Sequence, residues 1–342
     1  MATQYILRPL TDAWIDSVRA LVPTPAAYRA RALSDEAALD LLCCDETVLN
    51  LLVAHGLPVW ETAEDRRFDY HDLANVAIYS QSGFSVPEAG QRMLMRYASA
   101  APDEWLKQRL LNVTWELRCG DPHCAGGAWR ALLPRPDLFR GERGPVQAGS
   151  GARIVDERFV EAEGVSALTI KVPVLLRGRR ATVQSPVIRS IYGELLRELT
   201  EGRLRYQWLP GALRTDPVAA LANGTLDCVA AALLLASRLE DAAISARTRQ
   251  GRVIGLVSVE HAWTEALDDD GTWKTLDPIF AFLGQRTADA HPEFGGFCEG
   301  SMPSRFLPWD AQAGKPVAEH SCACGDPGLV STLTIEHRKA GH

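Results

Sequence analysis

The spacing of apolar residues is helical over much of the first third of the chain. Across residues 12–21, apolar side chains recur at intervals of three and four, which places them on one face of a helix. Ser34 is suited to cap a second helix, and Pro87 and Pro102 are suited to the first turns of two more. We therefore expect residues 1–133 to form a mostly helical N-terminal region.

The pattern changes after a stretch rich in proline and glycine. Residues 134–151 interrupt the apolar periodicity, and we interpret them as a linker. Beyond it, runs rich in Val and Ile such as residues 167–176 predict strands, and helical spacing returns at residues 227–239. These patterns predict an α+β protein in which residues 152–342 form the second domain and end in an irregular tail.

Cys228 stands at the first turn of the helix predicted for residues 227–239. Either Thr225 or Asp227 is suited to cap that helix. A sulfur at a helix N-terminus lies near free N–H groups and the positive end of the helix dipole, which favour the thiolate. The apolar run that follows Cys228 predicts a buried helix, which would hold the sulfur rigidly. Cys228 is therefore our candidate nucleophile.

A histidine and an aspartate follow in two segments that are predicted to be neighbouring strands. The turn sequence DDDG at residues 268–271 would join the strand carrying His261 to the segment that ends at Asp277. A carboxylate beside an imidazole fixes its tautomer and stabilises the imidazolium. Such an imidazole can take the proton of a thiol and later return it to a leaving group. These residue types predict a Cys-His-Asp triad.

Three short motifs follow one another in the C-terminal half of the chain. They are Cys228 at a helix start, His261-Ala262-Trp263 in a strand, and Trp273 followed by Asp277-Pro278. Their order resembles that of the transglutaminase-like superfamily of papain-like cysteine enzymes, and residues 244–251 also resemble the segment between helix and His strand. The resemblance implies a core in which the Cys-bearing helix packs on an antiparallel sheet.

The same resemblance implies roles for individual residues. Cys228 would be the nucleophile that forms a thioester, His261 the general acid and base, and Asp277 the group that orients His261. In this superfamily a polar side chain upstream of the cysteine helps to bind the oxyanion, and Gln207 and Trp208 are the candidates here.

We expect acyl transfer that forms or exchanges an amide bond on a small-molecule or acyl-carrier-bound substrate, in a biosynthetic role. A cysteine peptidase or amidase of the same fold shares the first half-reaction, so the triad alone does not separate it from a transferase. The third alternative is a binding or scaffold protein that keeps the fold and has lost the chemistry.

Two further segments combine cysteine and histidine at short spacing. Their residues are Cys119, His123 and Cys124 in CGDPHC, and His320, Cys322 and Cys324 in HSCAC. Cys and His are typical zinc ligands, so the two segments would form a zinc site if they met in space. Neither has the usual C-x-x-C spacing, and we favour two surface loops with free thiols, with structural zinc as the alternative.

Charge and hydropathy narrow the range of partners. The 342 residues include 36 Lys and Arg against 43 Asp and Glu, a net charge of −7 that favours neither nucleic acid nor an anionic membrane as partner. No apolar run approaches the roughly 20 residues of a membrane span. The first residues lack the features of a secretory signal, which predicts a cytoplasmic location.

No phosphate-binding or dinucleotide-binding motif is present, so we expect no cofactor.

Overall fold

The computed structural model describes residues 3–61, 65–255, 258–325 and 328–338. Its N-terminal part consists of α1 (Thr3–Arg19), β1 (Arg31–Leu33), α2 (Asp35–Leu42), α3 (Glu46–Ala54), β2 (Trp60–Glu61), β3 (Arg66–Asp69), α4 (Tyr70–Ser80), α5 (Val86–Met95) and α6 (Pro102–Leu106). The three strands form an antiparallel sheet in the order β1-β3-β2. Helices α1 to α4 and strand β3 bury a shared apolar core that includes Trp14, Leu42, Leu52, Phe68 and Leu73.

The middle of the chain is mostly strand. Its elements are β4 (Arg109–Cys119), β5 (Gly127–Leu132), β6 (Glu142–Arg143), β7 (Gln147–Ala148), β8 (Ala152–Val155), β9 (Phe159–Val165) and β10 (Ala167–Leu176).

The remaining elements alternate between helix and strand. They are α7 (Pro186–Thr200), β11 (Arg205–Tyr206), α8 (Gly211–Arg214), α9 (Pro217–Ala222), β12 (Thr225–Leu226), α10 (Cys228–Asp241), β13 (Ala246–Val253), β14 (Val259–Leu267), β15 (Trp273–Leu276), α11 (Pro278–Gln285), α12 (Phe294–Phe297), β16 (Glu299–Gly300), β17 (Phe306–Trp309), β18 (Ala318–Cys322) and β19 (Leu329–His337). The mixture of helix and sheet confirms the α+β class.

Two antiparallel sheets pack together as a β-sandwich. One has the order β19-β4-β10-β6, with β7 also paired to β10, and the other has the order β18-β5-β9-β8. Side chains alternate along β4, so that Leu111, Val113, Trp115 and Leu117 are buried while the intervening residues are more exposed. These side chains share one core with Trp129 of the other sheet, which makes the two sheets a single packed unit.

The sandwich differs from the organisation expected from the sequence. The helix that begins at Pro102 ends at Leu106, and the following residues form β4 because their apolar positions alternate with period two. The expected linker, residues 134–151, contains the 3-10 turn Pro136–Phe139 as well as β6 and β7, whose main chains hydrogen-bond to β10. Strand β4 pairs with β10, so one sheet spans the expected boundary between residues 1–133 and 152–342.

The expected irregular tail also contributes to the sandwich. Strands β18 and β19 pair with β5 and β4, respectively, at positions far apart in the sequence. The partner of β18 lies about 190 residues upstream and that of β19 more than 200 residues upstream, which is why no local pattern pointed to this pairing. Among the described residues, no helix combines the length and apolar character needed to cross a membrane.

A further sheet carries His261 on β14, and Asp277 directly follows its strand β15. It is antiparallel, with the order β16-β15-β14-β13-β17, and helix α10 packs against β13 and β14. The Thr264 hydroxyl of β14 donates a hydrogen bond of 2.9 Å to the Ala232 carbonyl of α10, which ties the helix to the sheet. The arrangement of a Cys-bearing helix on an antiparallel sheet is therefore present as expected.

Candidate active site

Cys228 is the first residue of α10, and its local geometry comes from the residue before it. Oδ1 of Asp227 accepts hydrogen bonds of 2.9 Å from the N–H groups of Val229 and Ala230. Asp227 is therefore the N-cap, and Thr225 lies in β12. The cap uses the next two N–H groups and leaves that of Cys228 without a partner inside the helix.

His261 and Asp277 meet across the β14–β15 hairpin. Thr264 of β14 pairs with Leu276 of β15, so the end of β15 brings Asp277 close to His261. The distance from His261 Nε2 to Asp277 Oδ2 is 2.6 Å, and each residue is 4% exposed. The other oxygen of Asp277 accepts the N–H of Phe280 and caps α11. The carboxylate is thus held at both oxygens.

Aromatic rings hold the imidazole on two sides. The ring of Phe280 stacks on His261, and Phe306 contacts it edge-on with centroids 5.4 Å apart. These contacts restrict rotation of the imidazole, and the bond to Asp277 selects which nitrogen faces the carboxylate. Because Nε2 bonds to Asp277, Nδ1 is the ring nitrogen that is available to hydrogen-bond with Cys228.

The electrostatics of His261 connect it to both other members of the predicted triad. Burial acts to lower the pKa of His261, but the charge of Asp277 and the hydrogen bond to it oppose burial. A hydrogen bond with Cys228 adds to them, and together they raise the pKa to about 10. These interactions favour the imidazolium form of His261, which lies between the Asp277 carboxylate and the Cys228 sulfur.

Arg214 is a charged neighbour of the nucleophile that the sequence did not reveal. Its Nη2 lies 3.7 Å from Cys228 Sγ, and its Nε lies 2.8 Å from Asp227 Oδ2. Burial acts to lower the pKa of Arg214, but the negative charges of Asp227, Cys228 and Glu260 raise it above its usual value. Arg214 ends the short helix α8, where no motif or periodicity marks it as functional.

Two cavities adjoin the triad. One has a volume of about 370 Å³ and is lined by Cys228 and His261, by Trp208 and Ile279, and by Val86 and other residues of α4 and α5. The N-terminal region therefore forms one wall of the site. A second cavity of about 280 Å³ lies against His261 from the side of β13 and β17 and is lined by polar residues that include Glu260 and Lys315. Arg214, Glu260 and His261 line both cavities.

The two oxyanion candidates are engaged in other contacts. Gln207 exchanges two hydrogen bonds of 2.9 Å with the main chain of Val22, and it is absent from the described residues that line the larger cavity. Trp208 lines that cavity, but its main-chain N–H donates to the Asn75 side chain and its indole N–H donates to the Tyr206 hydroxyl. The two side chains that the sequence singled out therefore fasten this segment to Val22, Asn75 and Tyr206.

Tyr206 is the hydroxyl that this segment presents to the larger cavity. It accepts the Trp208 indole N–H at 3.1 Å, so its own proton remains available. Burial, followed by the charge of Cys228, raises the pKa of Tyr206 well above its usual value. The phenol therefore stays protonated near the sulfur. Tyr206 adjoins the two residues that the sequence singled out, but no motif distinguished it from them.

Four of the six residues in the two Cys and His segments come together. The ligand atoms of Cys119, Cys124, His320 and Cys322 all lie within 4.8 Å of one another. His123 and Cys324 are exposed and do not belong to this group, but the Cys324 thiol hydrogen-bonds with Cys322 and Cys124 at its border. The segments are therefore not two independent loops.

Comparisons with known proteins give only weak similarities. No protein-family model matches the chain, and no curated protein matches it. Among solved structures, a candidate cysteine protease from Cytophaga hutchinsonii is 13% identical, with 69% of this chain and 92% of that chain covered and a TM-score of 0.34. The periplasmic domain of TgpA from Pseudomonas aeruginosa bound to ethylmercury is 14% identical, with 58% and 96% covered and a TM-score of 0.23. Both TM-scores lie below 0.5, a similarity too low to assign a fold or an activity.

Proposed function

We propose that this chain is a cysteine enzyme that forms a thioester at Cys228 and passes the acyl group to an amine. The observation that carries the proposal is the arrangement of Cys228 at a capped helix start beside His261, which is hydrogen-bonded to Asp277. Nucleophile, acid/base group and orienting carboxylate then have the positions that covalent catalysis needs. The order of the motifs also resembles that of the transglutaminase-like superfamily.

The first half-reaction follows from this arrangement. The proton of the Cys228 thiol passes to His261 Nδ1, and the sulfur attacks the acyl carbon while the carbonyl electrons move onto oxygen. The N–H of Cys228 and the Tyr206 hydroxyl are the donors proposed for that oxyanion. When the intermediate collapses, the bond to the leaving group breaks, and the imidazolium of His261 gives its Nδ1 proton to that group. The products are a thioester and a neutral imidazole that still bonds to Asp277.

The second half-reaction reverses these roles. An incoming amine loses a proton to His261 Nδ1 while its nitrogen attacks the thioester carbon. Collapse of the second intermediate breaks the carbon–sulfur bond and releases an amide, and the sulfur and imidazolium return to their starting states. Water in place of the amine would give a carboxylic acid by the same steps.

The two cavities offer space for both substrates of a transfer reaction. Two spaces of about 370 and 280 Å³ lie on either side of His261 and share Arg214 and Glu260 as walls. One would seat the acyl group, and the other would seat first the leaving group and then the amine. A volume near 370 Å³ lies in the range of about 300–1,000 Å³ typical of small-molecule sites, which supports a small or carrier-bound acyl donor.

The alternative of a cysteine peptidase or amidase is tested by the fate of the acyl group. The protein would be incubated with a panel of acyl thioesters and anilides, with and without small amines, and followed by intact mass and by product analysis. We expect an acyl adduct on Cys228 that is released as amide faster than as acid when an amine is present. Release as acid alone, at every amine concentration, would assign the hydrolytic reaction.

The alternative of an inactive scaffold is tested by thiol reactivity. Cys43 is exposed and Cys228 is only partly exposed, so access alone would favour labelling of Cys43. We expect a limiting amount of iodoacetamide to alkylate Cys228 first, and the His261→Ala variant to lose this preference. Labelling of Cys43 ahead of Cys228, with both iodoacetamide and a smaller methylthiolating reagent, would favour the scaffold.

A further inference from the structure

A cluster of three cysteines and a histidine lies at one end of the β-sandwich, separate from the proposed active site. Cys119 Sγ is 3.9 Å from Cys322 Sγ, and Cys124 Sγ is 3.5 Å from His320 Nε2. Tetrahedral zinc, with bonds of about 2.3 Å to sulfur and about 2.0 Å to nitrogen, separates two sulfurs by about 3.8 Å and a sulfur from a nitrogen by about 3.6 Å. The observed spacings match both values.

The strand pairing explains how ligands so far apart in sequence meet. Cys119 ends β4 and pairs with Leu329 at the start of β19, whereas Cys322 ends β18 and pairs with Gly127 at the start of β5. These strand ends therefore lie at the same end of the sandwich. His320 and Cys322 are two positions apart on β18, so both side chains project from one face of the strand.

The surroundings of His320 orient its ring for metal binding. Its Nδ1 lies 3.2 Å from the Ala128 carbonyl, and a hydrogen bond there places the proton on Nδ1 and leaves the lone pair on Nε2. The ring also stacks on Trp129, with centroids 4.0 Å apart and planes inclined by 22°. Nε2 is the atom directed at Cys124, so the nitrogen free to bind a metal is the one inside the cluster.

Strand β5 approaches the ligands of β18 closely because its residue 127 is a glycine. A Cβ on Gly127 would lie 2.2 Å from the Ser321 carbonyl oxygen and 2.8 Å from both Cys322 Cβ and His320 Cε1. Any larger residue at position 127 would push β5 away from β18. Glycine at this position therefore allows the two ligands of β18 to reach the cysteines of the β4 end.

We propose that Cys119, Cys124, His320 and Cys322 bind one Zn²⁺ ion as a structural site. The three thiols lose one proton each on binding, and the imidazole binds in its neutral form, so the site carries a net charge of −1. Four protein ligands fill the tetrahedral coordination sphere and leave no position for a substrate, which is the character of a structural site. The ion would join the sheet that contains β4 to the sheet that contains β18.

A Cys119–Cys322 disulfide is the competing assignment for the same residues. Disulfide formation requires the sulfurs to approach to about 2.05 Å, and it gives Cys124 and His320 no role. A metal site explains why His320 directs Nε2 at Cys124 and bonds to the Ala128 carbonyl through Nδ1. A disulfide explains neither contact.

The first measurement is the metal content of the full chain, purified without chelator from cells supplied with zinc. We expect about one zinc per chain by elemental mass spectrometry. Replacement by Co²⁺ should give the visible absorption of tetrahedral thiolate coordination. Protein without zinc, in which Cys119 and Cys322 are alkylated in the native state or joined as a disulfide, would overturn the proposal.

Variants then test the ligand assignment. His320→Ala and Cys322→Ser should lose zinc and unfold at lower temperature, whereas His320→Cys should retain it because a fourth thiolate replaces the imidazole. Cys43→Ser is the matched control on an exposed cysteine outside the cluster. Cys324→Ser should also keep the ion. Zinc that survives His320→Ala but is lost in Cys324→Ser would contradict this ligand set.

Discussion

The ring of Phe280 lies nearly parallel to the imidazole of His261, with centroids 3.9 Å apart and planes inclined by 13°. The main-chain N–H of the same residue donates a 2.9 Å hydrogen bond to Asp277, whose other oxygen bonds to His261. The start of α11 therefore supplies both the ring that stacks on His261 and the N-cap carboxylate that bonds to it. Pro278, at the first position of the helix, presets the backbone for this arrangement.

The nucleophile and the acid/base group should respond differently to removal. Cys228→Ala should abolish adduct formation and turnover, because no other described group in the cavity can form the thioester. His261→Ala should be nearly as severe but should still allow slow alkylation of Cys228. The measurement is single-turnover mass spectrometry, with Cys43→Ala as the control. Wild-type turnover in Cys228→Ala would contradict the mechanism.

Substitutions of Asp277 should separate its catalytic and structural contacts. In Asp277→Asn the amide oxygen can still cap α11, but the amide nitrogen faces His261 Nε2 and favours the wrong tautomer. Turnover should fall by roughly 10²–10⁴-fold with little change in stability. Asp277→Ala should lose the cap as well and cost about 1 kcal/mol more in the free energy of unfolding. Equal destabilisation by both variants in denaturant unfolding would argue against the cap.

Protonation of His261 should contribute to stability over a defined pH range. Its pKa is about 10 in the folded chain and near 6.5 in the unfolded chain, so the folded state holds the proton more tightly. The contribution should be complete below pH 6.5 and should be lost as the pH rises through 10. The measurement is the difference in unfolding free energy between wild type and His261→Gln from pH 6 to pH 10.5. A difference that stays constant across this range would refute the assignment.

Tyr206, rather than Gln207, should act as the oxyanion donor that the sequence predicts for this segment. Tyr206→Phe should lower turnover by roughly 10²-fold, because one oxyanion donor is removed. Gln207→Ala should instead destabilise the fold by about 1–3 kcal/mol, since the Val22 main chain loses a buried partner. Turnover per folded molecule and thermal unfolding, measured on both variants, distinguish these effects. Loss of turnover without loss of stability in Gln207→Ala would restore Gln207 as the donor.

The placement of Cys228, His261 and Asp277 was predictable because each residue belongs to a local signal. A cap before Cys228 and a turn between His261 and Asp277 can be recognised in a few residues, and the structure has both the N-cap and the hairpin. Arg214 and Tyr206 reach the site from elements of only four and two residues. Such elements have no periodicity, so their contribution depends on tertiary packing that no local pattern encodes.

The sandwich was missed for a related reason. Pro102 correctly predicts a helix start, but the helix lasts only to Leu106, and the alternation in β4 begins directly afterwards. Strands β6 and β7 are two residues each, and the proline and glycine around them are also typical of linkers. The pairing of β4 with β19 joins residues more than two hundred positions apart, as does the contact between Cys119 and Cys322.

The order of strands in the sandwich has a consequence for folding during synthesis on the ribosome. Strand β19, which covers one edge of β4, is synthesised after every residue of the proposed active site, and so is β18, which covers β5. Until then, both strands of the nascent chain present an open edge that can pair with another molecule. Premature termination after the catalytic segment would therefore leave a chain with its triad residues complete and a strong tendency to aggregate.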